Sequence, residues 1–513
     1  MGKKPRINVE VTQMVKFKNQ HNQKEGVKQG EKEGGSKTRR IKASTHHGYV
    51  NEHLSPYGGL LPLVKLWDGL KFDDLFLDCY CEPTRETQYG SLFLIKGLLL
   101  LLFIGFCRLN HFVYICEDPM LLGILGVQQL PAVSTFWRYL QSIGGNQSMS
   151  LLGVMGGLRE RAWKAVGITL ECIHIDVDTT VETVYGLIQG AKRGHNPGHR
   201  GKKGLRPVLA FIAETREYLA GILRRGETIS GQEVARLILS FRKWIPSGVK
   251  RVVIRADSEM YSWVAINACL RRGYDYIISA KRTHPPFDSK EWYSVGRDKE
   301  IQYNSCFFQP SGWEKACRFV AQRIPKEREA AASEPVQCEL FEDDRYKYRI
   351  FVTSLTKRAH QVVEEYDGRA GAETLIGEAK REGLAAIPSK KFQSNHAYFQ
   401  IVMLSYNLWR YMIAFADLKD QEQKTPKSEA TKTHPTIHVS RLKLLFIAAK
   451  IVGGGNTVKI HYSSHLSGRE RLDRLIHNLD LLRKHPEILN SPLYWHQDCQ
   501  PPMHKISCMK NAA

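Results

Sequence analysis

The spacing of apolar residues changes rhythm along the chain. From 49 to 165 it is helical, with apolar positions three and four apart in stretches such as LSPYGGLLPLVKLWDGL. The longest apolar run, LFLIKGLLLLLFIGF at 92–106, is shorter than the ~20 residues that span a bilayer and carries Lys96, so it predicts a buried core helix. LGVQQLPAVSTFWRYLQSIG, 125–144, predicts a helix-turn-helix: a short apolar helix, a Leu-Pro turn, and a second helix capped by Ser134. Phe136, Tyr139 and Leu140 then face inward, with Arg138 and Gln141 outward. A generic helical hairpin has the same pattern.

From about 170 the period becomes two. CIHIDVDTTVETVYG alternates as a strand, and RPVLAFIAETREYLAGIL predicts further strands with a turn near Thr215. Ser230 and Glu233 form a capping box that starts a helix running through Trp244. VKRVVIRAD is a short apolar strand ending in Asp257, followed by a helix and the strand YDYIISA. Three strands, helix, strand, helix, strand is a mixed α/β plan. Residues 284–344 interrupt it with an aromatic, β-rich insertion, and KYRIFVTSL resumes it. The apolar helix NHAYFQIVMLSYNLWRYMIAF follows, then a polar linker at 416–434 and a small C-terminal region, 435–513, with the candidate strand TVKIHYS. The expected division is a polar, Lys-rich arm at 1–48, a helical DNA-binding domain at 49–165, and an α/β domain at 166–415.

YDGRAGAETLIGEAK, 366–380, reads as one helix. Tyr366, Arg369, Glu373 and Lys380 fall within about 60° of one another on its surface, while Ala372, Leu375 and Ala379 can face a core. Alone, this stripe is a salt-bridged solvent face, or a surface that meets phosphates while its acid serves another purpose.

Composition narrows the choice. The chain has 513 residues, is 42% hydrophobic, and carries a net charge of +22. That excess favours a polyanionic partner, nucleic acid before anionic membrane. The N-terminus has no apolar leader, and eleven scattered Cys fit a reduced compartment, so a cytoplasmic protein is expected, nucleoid-associated if its polyanion is DNA. No Walker loop, Ser-His-Asp elbow or dinucleotide fingerprint stands out.

Asp176 and Asp178 point to one face of their strand, Asp257 ends a later strand, and Glu373 lies on the helical stripe. If the two strands are neighbours, their carboxylates converge at one sheet edge, where ligands of open sheets bind. Clustered carboxylates repel unless cations neutralise them. Two Mg²⁺ ions suit oxygen ligands and would support phosphoryl transfer on a polyanion.

Tyr-x2-Arg-x3-Glu-x6-Lys at 366, 369, 373 and 380 resembles the signature around the catalytic Glu of insertion-sequence DDE transposases. DVDTT and RADSEMY resemble the first- and second-Asp motifs of that group. With the insertion of ~60 residues before the Glu and the stretch GLAAIPSKKF…AYFQIVMLSYNLWR, the chain looks like the insertion sequence thirteen-eighty branch, from about residue 50 to 480. The resemblance implies an RNase H-like catalytic core that cuts and joins DNA strands with Mg²⁺ or Mn²⁺. Asp178, Asp257 and Glu373 would hold the metals, and Tyr366, Arg369 and Lys380 would contact the phosphates of the element end. It also implies double-stranded DNA as partner, for element ends and target, and a dimer on that DNA. Asp176 competes with Asp178 for the first role. Glu259 stands where the resemblance leads one to expect Gly. A transposase-derived DNA-binding protein without catalysis and a metal-dependent endonuclease are the alternatives.

GAKRGHNPGHRGKKGLR, 190–206, packs eight His, Lys or Arg into a Gly-rich hairpin loop. Lys192, Arg193, Arg200, Lys202 and Lys203 are candidate contacts to DNA phosphates. Trp292 and Trp313 are core residues of the insertion or stacking partners for a flipped base. His496, Cys499, His504 and Cys508 have near-zinc spacing, which chance in a polar tail also produces.

Overall fold

The computed structural model describes residues 40–83, 88–194, 196, 198–281, 283–296, 299–326, 346–418, 435–454 and 457–490. Most of the N-terminal arm, most of 416–434, and His496, Cys499, His504 and Cys508 lie outside the described residues. The chain divides into two compact units, 1–51 and 52–513. In the first, residues 40–51 are exposed and carry one turn, closed by Lys42 N–H donating to Thr45 Oγ1 at 2.9 Å.

The second unit opens with β1 (His53–Ser55) and six helices: α1 (Leu60–Gly69), α2 (Phe72–Cys79), α3 (Ser91–Ile104), α4 (Pro119–Leu125), α5 (Val133–Ser142) and α6 (Gly145–Val166). Then come β2 (Cys172–Thr179), β3 (Glu182–Thr183), β4 (Lys192–Arg193), β5 (Lys203–Leu205), β6 (Val208–Ile212), β7 (Glu217–Ile222), α7 (Gly231–Ser240), β8 (Arg251–Ala256), α8 (Trp263–Arg272) and β9 (Asp275–Ser279). β10 (Tyr293–Ser294), β11 (Gln302–Phe308), β12 (Cys317–Pro325) and β13 (Tyr346–Thr353) precede α9 (Ala359–Asp367), α10 (Ala370–Ala379) and α11 (Phe392–Asp417). The described chain closes with α12 (Ile437–Leu444), β14 (Ala449–Gly454), β15 (Thr457–Tyr462) and α13 (Arg469–Lys484).

Among the described residues nine strands form one sheet in the order β10-β11-β12-β13-β9-β8-β2-β6-β7. β2, β8 and β9 run parallel at its centre, and β6 and β7 are antiparallel on one side. The β-rich stretch after 284 is not set apart: β12 pairs with β13, which pairs with β9, so its strands extend the same sheet. The capping box forms as the sequence predicts, with Ser230 Oγ accepting from Glu233 N–H and Glu233 accepting from Ser230 N–H.

Ile173, Ile175 and Val177 alternate with His174, Asp176 and Asp178 along β2, so the apolar set enters the main core and the polar set faces the other way. On β8, in parallel register, Val252, Ile254 and Ala256 share the apolar face, and Val253, Arg255 and Asp257 share the polar one. α9 covers this second face through a small core of Val253, Ile277, Val320, Phe351, Val362 and Val363.

α3 is buried along almost its whole length, and Lys96 leaves the apolar run to pair with Asp73 at 2.6 Å. Among the described residues no helix is long and apolar enough to cross a membrane. α11 is also enclosed, its Trp409 stacked on Phe103 of α3 at 4.0 Å. In the helix-turn-helix stretch Phe136, Tyr139 and Leu140 are buried as expected, but two details differ. Ala132, not Ser134, occupies the cap, and Ser134 lies inside α5, where its carbonyl accepts from Arg138 Nε. Gln141 is half-buried rather than outward, and donates to Ser389.

Candidate functional site

The parallel register of β2 and β8 sets Asp176 opposite Arg255 and Val177 opposite Ala256. Continued one residue further, it brings Asp178 beside Asp257 at the C-terminal ends of strands ~4.8 Å apart. Asp257 leaves the sheet in extended backbone and caps the turn Ser258–Met260, its Oδ1 accepting from Glu259 N–H at 3.0 Å. Burial pushes the Asp178 carboxyl up to about 6. Arg369 opposes that shift, while Asp257 and Glu373 add to it. Burial likewise raises Asp257, against the pull of Arg369. The three acids therefore share one electrostatic neighbourhood at the sheet edge.

The single helix expected over 366–380 is two. α9 ends at Asp367, α10 begins at Ala370, and the joint is a tightened turn in which Arg369 N–H donates to Tyr366 O at 2.8 Å. The joint is closely backed: a Cβ on Gly368 would stand 2.6 Å from Arg255 Nη1. A second irregularity follows α10, a wide π turn over Lys380–Leu384 with Gly383 at φ +119°.

Ala372, Leu375 and Ala379 are buried, and Glu373 is exposed. The neighbouring acids are committed elsewhere, Asp367 to Arg349, Glu378 to Arg410 and Glu382 to Arg441. Among the described residues the Glu373 carboxylate makes no hydrogen bond or ion pair. Tyr366 packs on Phe351 at 4.5 Å. Arg369 is almost buried and its Nη2 lies 3.0 Å from Asp178 Oδ2, so in this structure it neutralises the first acid. Its Nε is buried with no hydrogen-bond partner among the described residues. Lys380 Nζ lies 3.2 Å from Glu182 Oε1 and donates to Val181 O.

The two acids of β2 are held differently. Asp176 is buried and receives both Nε (2.6 Å) and Nη2 (2.9 Å) of Arg255, so each of its oxygens is engaged by one fork. Asp178 accepts from Thr179 N–H at 2.8 Å and pairs with Arg369. Glu259, the extra acid beside Asp257, is tied down by buried Arg206 and by Thr179 Oγ1 at 2.8 Å. Arg206 entered the sequence reading only as one of the eight cations of 190–206, and Arg255 did not stand out. The matching spacing of DVD and RAD becomes a pairing only once the two strands lie in parallel register.

The donor set suits a hard divalent cation: carboxylate oxygens on adjacent strand ends, with negative charge accumulated against its own repulsion. Among the described residues, however, no group of three or more His, Cys, Asp or Glu side chains is placed to hold a metal ion. The countercharge in this structure is Arg369. A cavity of about 640 Å³ opens beside Asp257, lined in part by Glu182, His199, Arg206, Glu259 and Lys380.

β4 and β5 make the predicted hairpin and join β3 in a three-stranded sheet. Lys192, Arg193, Arg200, Lys202 and Lys203 are all exposed on it, Lys192 pairing with Glu227. Trp313 packs with Tyr261, Trp263 and Phe319, and Trp292 lies under the Arg323 guanidinium at 4.2 Å.

A family model described as transposase DDE domain group 1 matches residues 36–484. No curated protein matches the chain. Among solved structures, the chain is similar to a piggyBac transposase synaptic complex with hairpin DNA, at 10% identity over 82% of this chain and 85% of that one, with a TM-score of 0.42. It is also similar to the Mos1 transposase paired-end complex with left transposon end, at 10% identity over 38% of this chain and 61% of that one, with a TM-score of 0.16. With the family model spanning most of its length, the chain belongs to the transposase DDE domain group 1 family and is a DDE transposase.

Proposed function

We propose that this transposase binds the terminal inverted repeats of its own element, cleaves their 3′ ends, and joins them to target DNA. The observation that carries the reading is the meeting of Asp178 and Asp257 at neighbouring strand ends, with the α9–α10 joint bringing Arg369 and Glu373 to the same edge. The plan of β7-β6-β2-β8-β9, with parallel β2, β8 and β9 at its centre, supports an RNase H-like core.

DDE transposases use divalent metal ions. Here Asp178, Asp257 and Glu373 would hold two Mg²⁺ or Mn²⁺ ions, which when bound activate the attacking oxygen and stabilise the leaving one. The protein's own groups do the rest. Arg369 must release Asp178 before that carboxylate is free, and its Nε, unpartnered among the described residues, is a donor suited to a phosphate oxygen. Phosphate binding and release of Asp178 are then one movement. Lys380 lines the cavity beside Asp257 and would contact phosphate there, as would the Tyr366 hydroxyl, and the exposed cations of the β4–β5 hairpin would lie along the DNA backbone. Glu259 adds to the upward shift of the Asp257 carboxyl, and buried Arg206, paired with Glu259, pulls it the other way. Two ends must be held together for joining, which implies at least a dimer on DNA. The Tyr-Arg-Glu-Lys spacing supports the insertion sequence thirteen-eighty branch.

The test is a labelled duplex carrying the inverted repeats that flank the coding sequence, incubated with the protein with and without Mg²⁺. The reading expects metal-dependent 3′ nicking and strand joining, lost in Asp257→Ala and Glu373→Ala. Tight binding without cutting under any divalent metal would sink it and leave a transposase-derived DNA-binding protein.

A further inference from the structure

We propose that Asp176 and Arg255 form a buried clamp that positions the α9–α10 joint, and with it Arg369 and Glu373, over the Asp178–Asp257 pair. The inference rests on the proposed site, and it gives Asp176 and Arg255 a role in that site without contact to DNA or metal.

Three contacts run from the polar face of the central strands to the helices. His174 Nε2 meets Glu365 Oε1 of α9 at 3.0 Å. Arg255, gripped by both Asp176 oxygens, turns its remaining Nη1 to the carbonyl of Glu365 at 2.7 Å. Asp178 meets Arg369 beyond the joint. The middle contact is the most constrained. Asp176 is 1% and Arg255 5% exposed, and the fork geometry leaves the guanidinium no freedom to slide. It passes directly beneath Gly368, which any side chain would obstruct.

The carbonyl it holds is that of the residue before Tyr366, at the C-terminal end of α9, where helix carbonyls lack partners within the helix. Fixing that carbonyl fixes where α9 stops, and so the direction in which α10 leaves. Glu373 is one turn into α10, so a small rotation at Gly368 displaces its carboxylate. Lysine at 255 would keep the charge and lose the fork, since an ammonium cannot grip Asp176 with two parallel bonds and reach Glu365 as well.

The experiment uses the full chain as Arg255→Lys, Asp176→Asn and Gly368→Ala. Gly368→Ala keeps both charges and alters an exposed joint, so it folds even if the buried substitutions do not. Three quantities are read: the rate of nicking of the labelled end duplex, the affinity for that duplex, and amide hydrogen exchange in the free protein. The clamp predicts nicking slowed by about 10²-fold, the cost of a misplacement of about an ångström, with end affinity within about twofold of wild type. Exchange rises across 365–373 and stays unchanged in β2 and β6. Wild-type rates with wild-type exchange at 365–373 would overturn the clamp. So would a lost rate accompanied by faster exchange throughout the sheet, the mark of general destabilisation. If the wild-type chain does not nick the duplex, the proposed function fails separately, and the exchange pattern alone still decides the clamp.

Discussion

Asp176 and Asp178 differ by two positions and one environment. Both lie on the polar face of β2, yet one is sealed by an arginine fork and the other stands at the strand end among like charges. The pH dependence of stability follows. Asp178 is raised from 3.8 to about 6 in the fold, so its contribution to stability is fully present below the unfolded value and lost as pH rises through about 6. Asp178→Asn is therefore expected to gain more stability relative to wild type at pH 8 than at pH 4, measured by urea unfolding. Equal effects at the two values would mean that Arg369 fully compensates the charge. The sequence already displayed the acids, because alternation assigns their face and Asp257 visibly ends its strand. It did not display Arg255 as the partner of Asp176, because parallel register is a long-range property that local spacing does not encode.

Elements show where periodicity misleads. Helical spacing continues unbroken from Tyr366 to Lys380, so a single helix was the natural reading. The break coincides with Gly368, against which Arg255 of β8 packs closely, and only the tertiary structure contains that contact. The strands β2, β6, β7, β8, β9, β13 and β15 were legible because each alternates or ends on a turn. The role of β11 and β12 as a continuation of the main sheet was not, since pairing partners are invisible in a strand's own pattern. α9 is also tied to β2 by His174, whose ring lies between Glu214 and Glu365. Those two hydrogen bonds raise it to about 9. A raised histidine stabilises fully below 6.5 and loses that contribution as pH climbs through about 9. Unfolding between pH 6.5 and 9.5 should therefore show a decline that His174→Gln removes; an identical decline in the variant would assign it to another group.

At the scale of the whole molecule, the helical region and the sheet share one core. Arg159 of α6 is wholly buried and donates to Glu217 of β7 at 3.0 Å, to Tyr218 O and to Trp244 O. Arg159→Leu leaves Glu217 buried beside an apolar group, and a loss of about 3–5 kcal/mol is expected from denaturant unfolding. A loss under about 1 kcal/mol would show that Trp163 and Tyr411, which also bond Glu217, suffice. The net charge of +22 acts at this scale too. If the β4–β5 hairpin lies on phosphates, Lys202→Gln with Lys203→Gln lowers the slope of log affinity against log salt by about 1.8, near 0.9 per contact. An unchanged slope would remove the hairpin from the interface.

The central claim is that Asp178, Asp257 and Glu373 act as one metal-holding site although Arg369 neutralises Asp178 in this structure. Titration of Mn²⁺ into the complex of the protein with its end duplex, followed calorimetrically, tests it most directly. The account predicts that the wild-type complex takes up the ion and that Asp178→Asn, Asp257→Asn and Glu373→Gln each weaken uptake by more than about tenfold. Undiminished uptake by Glu373→Gln would place the third ligand elsewhere and contradict the account.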